Sequence, residues 1–491
     1  MKSATQKRSL GQLFRDLSRP VDLTRGTPWK VILTYAGPIM LSYLLQQVYV
    51  LTDAIICGQV LTAEEVAGVN DTYPLIFIFL QFAFGCTGGF SVITAKCVGA
   101  RDETGVRRSF ATQILLSLVI SAVLTVLSVL ALPKLLGIIN VTPDNPTVYH
   151  AAYDYCLVIF IGILAQMGYN FICGILRAYG DSVTPLVFLI LSTALNIGLD
   201  LLFLTVLRMG PRGAAEATVL AQLISFLGCG VYTFLRYPDL RPRTEDWKCT
   251  WRDVADHLTQ GLPMGAQLSI LAIGIIIMQG AVVKFDLTET GKMVALTPAQ
   301  NGFGAASKLI GFLMVFLNGL GTAILGFNAQ NFGKCDYERI RKGTKQSLFI
   351  MLLISAATLA AALLLMIGGA YQHIFMSADK ITEASLRYGN IYLLVDVILY
   401  PILGYLIVTR SASQGICKVR YVLEAGIAEL IGRTVICAFL PVLVNGGPLS
   451  ADATLWAFAA VVFGDPGAWA LASLVLTVPT VKYLFGMKYN R

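Results

Sequence analysis

The sequence predicts an all-α membrane protein of twelve transmembrane helices, arranged as two pseudo-symmetric six-helix lobes. Three observations lead there. Of the 491 residues, 56% are hydrophobic and 13% charged, with a mean hydropathy of +0.69; a soluble chain carries about a quarter charged residues. Apolar stretches of bilayer length, about 20 residues, recur near 30–57, 69–95, 109–132, 150–173, 183–206, 214–235, 256–283, 298–327, 346–375, 386–409, 420–443 and 453–486. The longest polar connection, 236–256, follows the sixth stretch and cuts the chain into halves that echo each other.

The expected organisation is therefore an N-terminal segment 1–28, an N-lobe 29–236, an inter-lobe loop 237–255 and a C-lobe 256–491. Orientation follows from Lys and Arg, which favour the cytoplasmic side. With the N-terminus inside, the inside segments hold 28 of them and the outside loops 7. Both termini are thus expected to be cytoplasmic, in a cell (inner or plasma) membrane. Segment 1–28 is basic and has no apolar core before Trp29, so a cleavable signal peptide is not expected. The net charge of +8 then reports topology, and the surrounding partner is bilayer lipid rather than nucleic acid.

The echo between halves is specific. Ala36-Gly37-Pro38 matches Gly261-Leu262-Pro263, Val98-Gly99-Ala100-Arg101 matches Phe332-Gly333-Lys334, and Arg177-Ala178-Tyr179-Gly180 matches Arg410-Ser411. Six helices per repeat give both halves one orientation, an arrangement typical of transporters with a midplane site between the halves. The acids are not repeated. Shifted by the repeat offset, Asp53 lands on Met278, and Asn196 and Asp200 land on Ile431 and Val435.

A carboxylate at mid-bilayer depth is costly and marks a functional site by default. Gln46, Tyr49 and Asp53 share one face of the first helix, and Asn196 and Asp200 one face of the fifth. Thr193, Thr218 and Asn170 add neutral oxygens. A proton or Na+ site needs this set, with carboxylates to carry charge and amide or hydroxyl oxygens to complete coordination. The competing account is that each Asp only bonds a neighbouring helix. Pro38 removes a helix hydrogen bond and is read as a hinge. In the C-lobe, Glu429 and Arg433 stand at i, i+4, so mutual neutralisation is the simpler account. Asp396, with Tyr400 one turn on, is read as a cavity-wall counter-ion for substrate or a partner of Lys308. Gly85-x-x-x-Gly89 points to close helix packing.

Several functions are excluded. The ten Cys contain no Cys-x-x-Cys, and His150, His257 and His373 sit near helix ends, so no metal or disulfide chemistry is expected. Gly326 to Gly333-Lys334 has the wrong spacing for a phosphate loop. No enzyme and no cofactor is expected; active transport would run on an ion gradient.

These residues resemble the multidrug and toxic compound extrusion (MATE) family. The resemblance rests on Gly37-Pro38 through Gln46-Gln47-x-Tyr49-x-x-x-Asp53-x-x-x-x-Gly58, and on Gly99-Ala100-Arg101. It also rests on Gly174-Ile-Leu-Arg177-Ala-Tyr-Gly180-Asp181-x-x-x-Pro185, Asn196-x-x-x-Asp200, Ala329-Gln330-Asn331-Phe332-Gly333 and Pro466-Gly467-Ala468-Trp469. It implies two six-helix lobes about a central cleft, and export of organic, often cationic, compounds against H+ or Na+. It places the cation site at Asp53, Asn196, Asp200 and Thr218, with Tyr49, Tyr155 and Asn170 close by. Some members carry a membrane-embedded Glu in the seventh helix as part of a C-lobe ion site; residues 267–274 here hold no acid. The expected protein is a monomeric, cation-coupled antiporter working by alternating access. Its cargo is expected to be cationic because Asp53, Asp200, Asp396 and Glu429 outnumber Lys308 and Arg433. The alternative is a flippase for a lipid-linked precursor, with a basic cavity.

Overall fold

The computed structural model describes residues 19–377 and 380–486; the first eighteen residues of segment 1–28 and the last five of the C-lobe lie outside them. Described residues form helices α1 (Pro28–Val60), α2 (Ala63–Asp71), α3 (Tyr73–Ala100), α4 (Glu103–Ile138), α5 (Pro146–Ile161), α6 (Ile163–Ala178), α7 (Val183–Asp200) and α8 (Gly210–Arg236) in the N-lobe. The C-lobe holds α9 (Trp251–Val283), α10 (Pro298–Gly333), α11 (Tyr337–Met366), α12 (Ala370–Phe375), α13 (Glu383–Ile398), α14 (Tyr400–Gly415), α15 (Val419–Asn445), α16 (Leu455–Val462) and α17 (Gly464–Pro479). Ten continuous spans are long and apolar enough to cross a membrane, and two bent pairs bring the number to twelve.

The bent pairs are repeat mates. α5 and α6 meet at 45°, and α13 and α14 at 50°. Pro401 in the first turn of α14 lacks the N–H that would continue α13. At the other break, Gly162 sits where a Cβ would fall 2.2 Å from the Val219 side chain, so α8 crosses against the corner itself. α9 starts five residues before hydropathy places it. Thr250 and Asp253 form a reciprocal capping box, each side chain taking the other's backbone N–H at 3.0 and 3.2 Å. α1 runs unbroken through Pro38, whose carbonyl accepts from the Ser42 hydroxyl at 2.9 Å. The turn after Asp200 widens into a π-helix over Leu201–Val206, a feature that recurs at functional sites.

The lobes meet through small residues, in pairs related by the repeat. A Cβ on Gly85 would lie 2.6 Å from the Gly265 Cα, and one on Gly89 2.6 Å from the Gly261 Cα, so two Gly-x-x-x-Gly faces interlock between α3 and α9. On the opposite side, α1 meets α10 where Met40 packs on Gly319. At the face carrying the N-terminus the seal is reciprocal: Gly99 abuts the Gln330 carbonyl, and Gly333 abuts the Lys96 carbonyl. The Gln330 amide donates to the Ala178 carbonyl at 2.7 Å, and the Tyr35 hydroxyl to the Arg177 carbonyl at 2.7 Å.

The segment before α1 straps this seal. The Val21 N–H donates to the Gly180 carbonyl of the N-lobe at 3.0 Å. Leu23 is fully buried, and its carbonyl accepts from Asn331 at 3.1 Å and from Arg339 at 3.0 Å. Arg339 also donates to the carbonyls of Arg25 and Gly26. The inter-lobe loop is pinned by a buried ion pair, Arg107 to Asp246 at 3.1 Å.

The seal leaves no room for a side chain at Gly99, where a Cβ would come within 1.8 Å of the Gln330 oxygen. Gly99→Ala is therefore expected to open this face without unfolding the protein. Cys417 packs on the interlobe cluster at Ala178 and Ala329, while Cys335 is exposed. Maleimide labelling of Cys417 relative to Cys335, read by peptide mass spectrometry, should rise several-fold in the variant. An unchanged ratio would mean that the seal absorbs the methyl group.

Candidate functional site

Five helices carry the N-lobe residues to one region. α1 presents Gln46, Tyr49 and Asp53, α7 presents Asn196 and Asp200, α8 brings Thr218 and α6 brings Asn170. The carboxyl groups of Asp53 and Asp200 lie within hydrogen-bonding reach of each other. Asp200 is fully buried and Asn196 nearly so. The Tyr49 and Thr218 hydroxyls pair at 3.3 Å, and the Asn196 amide donates to Thr218 at 3.4 Å. Tyr155, on α5, stands close enough to feel the Asp53 charge. The residues singled out in the sequence on α1, α5, α7 and α8 thus form one cluster.

What the cluster lacks is donors. Asp53 Oδ1, both Asp200 carboxyl oxygens and Asn196 Oδ1 are buried without a hydrogen-bond partner. Each buried acceptor left so costs about 1–3 kcal/mol, and two like charges this close in apolar surroundings cannot both stay uncompensated. A proton shared by the pair satisfies one oxygen of each carboxyl, and a small hard cation can draw in all four. The donor set is entirely oxygen, which suits Na+ or H+ and not a softer metal. Among the described residues no group of three or more His, Cys, Asp or Glu is placed to hold a metal ion.

Two cavities flank the cluster. One of about 490 Å³ lies inside the N-lobe among α1, α6, α7 and α8, and includes Gln46, Tyr49, Gln166, Asn170, Thr193 and Gln222. The other, about 600 Å³, lies between the lobes and includes Tyr35, Tyr43, Asn170, Arg177, Met264 and Thr322. Asn170 lines both, so the two adjoin. Gln166 and Gln222 escaped the sequence reading. Their signal was there: each stands at i, i+4 from a chosen residue, Asn170 and Thr218.

The C-lobe acids are arranged otherwise. Glu429 does not simply neutralise Arg433: it binds Arg410 at 2.6 Å and Arg433 at 3.5 Å, while Arg433 binds Asp465 at 2.6 Å. Asp465, which accepts from Tyr392 at 3.4 Å, was not read from the sequence although it precedes the quoted Pro466-Gly467. Asp396 is 1% exposed and lines neither cavity. The charged groups beside it are Asp465 and Arg433. A Cβ on Gly274 would meet the Arg433 guanidinium at 2.4 Å. The seventh span is bare of acid where a fixed arginine occupies the space beside it.

The model of the MatE family matches residues 38–202 and 300–439. A probable multidrug resistance protein of Bacillus subtilis is 30% identical over 325 residues, 65% of this chain and 68% of that one. An FAD transporter of Shewanella oneidensis is 22% identical over 78% of this chain and 81% of its own. A transporter of the MOP superfamily from Pyrococcus furiosus shares the fold, with a TM-score of 0.82 at 21% identity, covering 96% of this chain and 99% of that one.

The two lobes should respond oppositely to loss of charge. Asp200→Asn supplies the missing donor beside Asp53 and is expected to raise the thermal midpoint in detergent, by the equivalent of about 1 kcal/mol. Arg433→Ala strands Asp465 and should lower stability by about 3–5 kcal/mol.

Proposed function

From the chain's membership of the MatE family of transporters, we propose that it is a cation-coupled antiporter that exports small organic molecules by alternating access. The observation that carries this reading is the Asp53–Asp200 pair, whose orphaned oxygens call for a removable positive charge. H+ or Na+ is the coupling ion, held by Asp53, Asn196, Asp200 and Thr218. Tyr49, Tyr155 and Asn170 support that site, and Gln46 opens it to the N-lobe cavity.

The basic face carrying the N-terminus is cytoplasmic, in the cell membrane, by its Lys and Arg excess. The reciprocal glycine contacts at that face then describe the outward-facing state. In that state the pair loads an ion from outside. Loading removes the repulsion between the carboxylates, draws α1 toward α7 and lets cargo leave outward. Pro38, which lacks one helix hydrogen bond, is the position where α1 bends most cheaply. The lobes then rock, the ion leaves to the cytoplasm and the next cargo enters.

The case for cationic cargo weakens with the geometry. It counted four embedded acids, but Glu429 is held by Arg410 and Arg433, and Asp396 is closed into the C-lobe. The remaining pair belongs to the ion. The named relatives include multidrug resistance proteins and an FAD transporter, so cargo of either sign is consistent with the company the chain keeps.

Proteoliposomes with separately imposed pH and Na+ gradients test the proposal. One gradient should drive uptake of a fluorescent substrate into inside-out vesicles, and Asp53→Asn should abolish it while leaving the protein in the membrane. Gradient-driven transport by the variant at the wild-type rate would remove the pair from the coupling step.

A further inference from the structure

The cavity between the lobes is lined by one charged residue, Arg177, near the end of α6. Its guanidinium has no carboxylate within ion-pair distance among the described residues. The acid one turn on, Asp181, is engaged elsewhere. Its oxygens accept from Thr184 Oγ1 at 2.6 Å, Tyr237 Oη at 2.9 Å and the Thr184 N–H at 2.9 Å. Around Arg177 stand neutral groups, the hydroxyls of Tyr35 and Tyr43 and the thiol of Cys173. The Tyr35 hydroxyl is spent on the Arg177 carbonyl, and Tyr43 pairs with Thr322 at 3.0 Å.

Arginine keeps its charge in any protein environment, and its planar fork fits a carboxylate or phosphate in a bidentate way. An arginine on a cavity wall with no carboxylate paired to it invites an anion. The walls beside it are aromatic and soft, with Phe84, Tyr35, Tyr43 and Met264.

We propose that the interlobe cavity binds aromatic organic anions, with Arg177 seating their carboxylate or phosphate group against the tyrosine and methionine walls. This rests on the reading of the cavity as the cargo's path, but it fixes the sign of the cargo, which the ion pair does not.

Equilibrium binding to the detergent-purified full chain tests it, with fluorescein as a planar anion and ethidium as a planar cation, both followed by fluorescence anisotropy. Fluorescein should bind the more tightly. Arg177→Gln should weaken it about tenfold or more while leaving ethidium unchanged, and Arg177→Lys should fall between. Should the variants fold poorly, wild-type protein still decides: phenyl phosphate or benzoate should displace fluorescein, and phenyltrimethylammonium should not. Displacement by phosphatidylglycerol in mixed micelles but by neither small anion would assign the site to a lipid headgroup and overturn the proposal. So would tighter binding of ethidium, or fluorescein binding indifferent to Arg177→Gln. No gradient is imposed, so failure here leaves ion coupling standing, and loss of coupled transport with intact fluorescein binding counts against antiport alone.

Discussion

Charge compensation in an apolar interior organises the molecule, and the two lobes meet it in opposite ways. In the N-lobe three carboxyl oxygens of Asp53 and Asp200, and the amide oxygen of Asn196, are buried without a donor, so compensation calls for a positive charge that the described chain does not place there. In the C-lobe the chain supplies it: Arg433 and Arg410 are built in against Asp465 and Glu429. A buried arginine pair breaks only at a cost of several kcal/mol, whereas a proton or Na+ comes and goes. One lobe thereby leaves its acids uncompensated, and the other closes them into a circuit with Asp396 at its edge.

The lobes themselves are joined by contacts that suit repeated separation. Gly85, Gly89, Gly261 and Gly265 bring two backbones together without interdigitating side chains, and Gly99 and Gly333 do so at the sealed face. Backbone against backbone offers dispersion and few locked rotamers, so parting requires little side-chain rearrangement. The polar ties across the seal, from Gln330 and Tyr35 to main-chain carbonyls, point the same way, since water can replace each one.

Much of this was legible in the sequence because bilayer physics writes it there. Span lengths, the repeat offsets, the face shared by Gln46, Tyr49 and Asp53 and that shared by Asn196 and Asp200 follow from hydropathy and helical period, whereas joining the two faces into one site comes from the family resemblance. The early start of α9 was hidden because its first turn is polar and held by a cap, not by apolar residues. The partners of Glu429 and Arg433 were hidden for a different reason. Arg410 and Asp465 lie on other helices, and helical spacing speaks only within one. Counting embedded acids as cavity charge failed on that point, since a charge's effect depends on what faces it. The π-turn after Asp200 leaves no mark in composition at all.

The strap ahead of α1 is gripped almost wholly through its main chain, by Arg339 and Asn331 on one lobe and Gly180 on the other. Among its described residues only Leu23 contributes a buried side chain. A fastening of that kind reads the path of the polypeptide and ignores most of its letters. Neighbouring positions are free to drift in evolution without loosening it, and a bulky fusion at this end would act as a mechanical load on the closure rather than as an inert label.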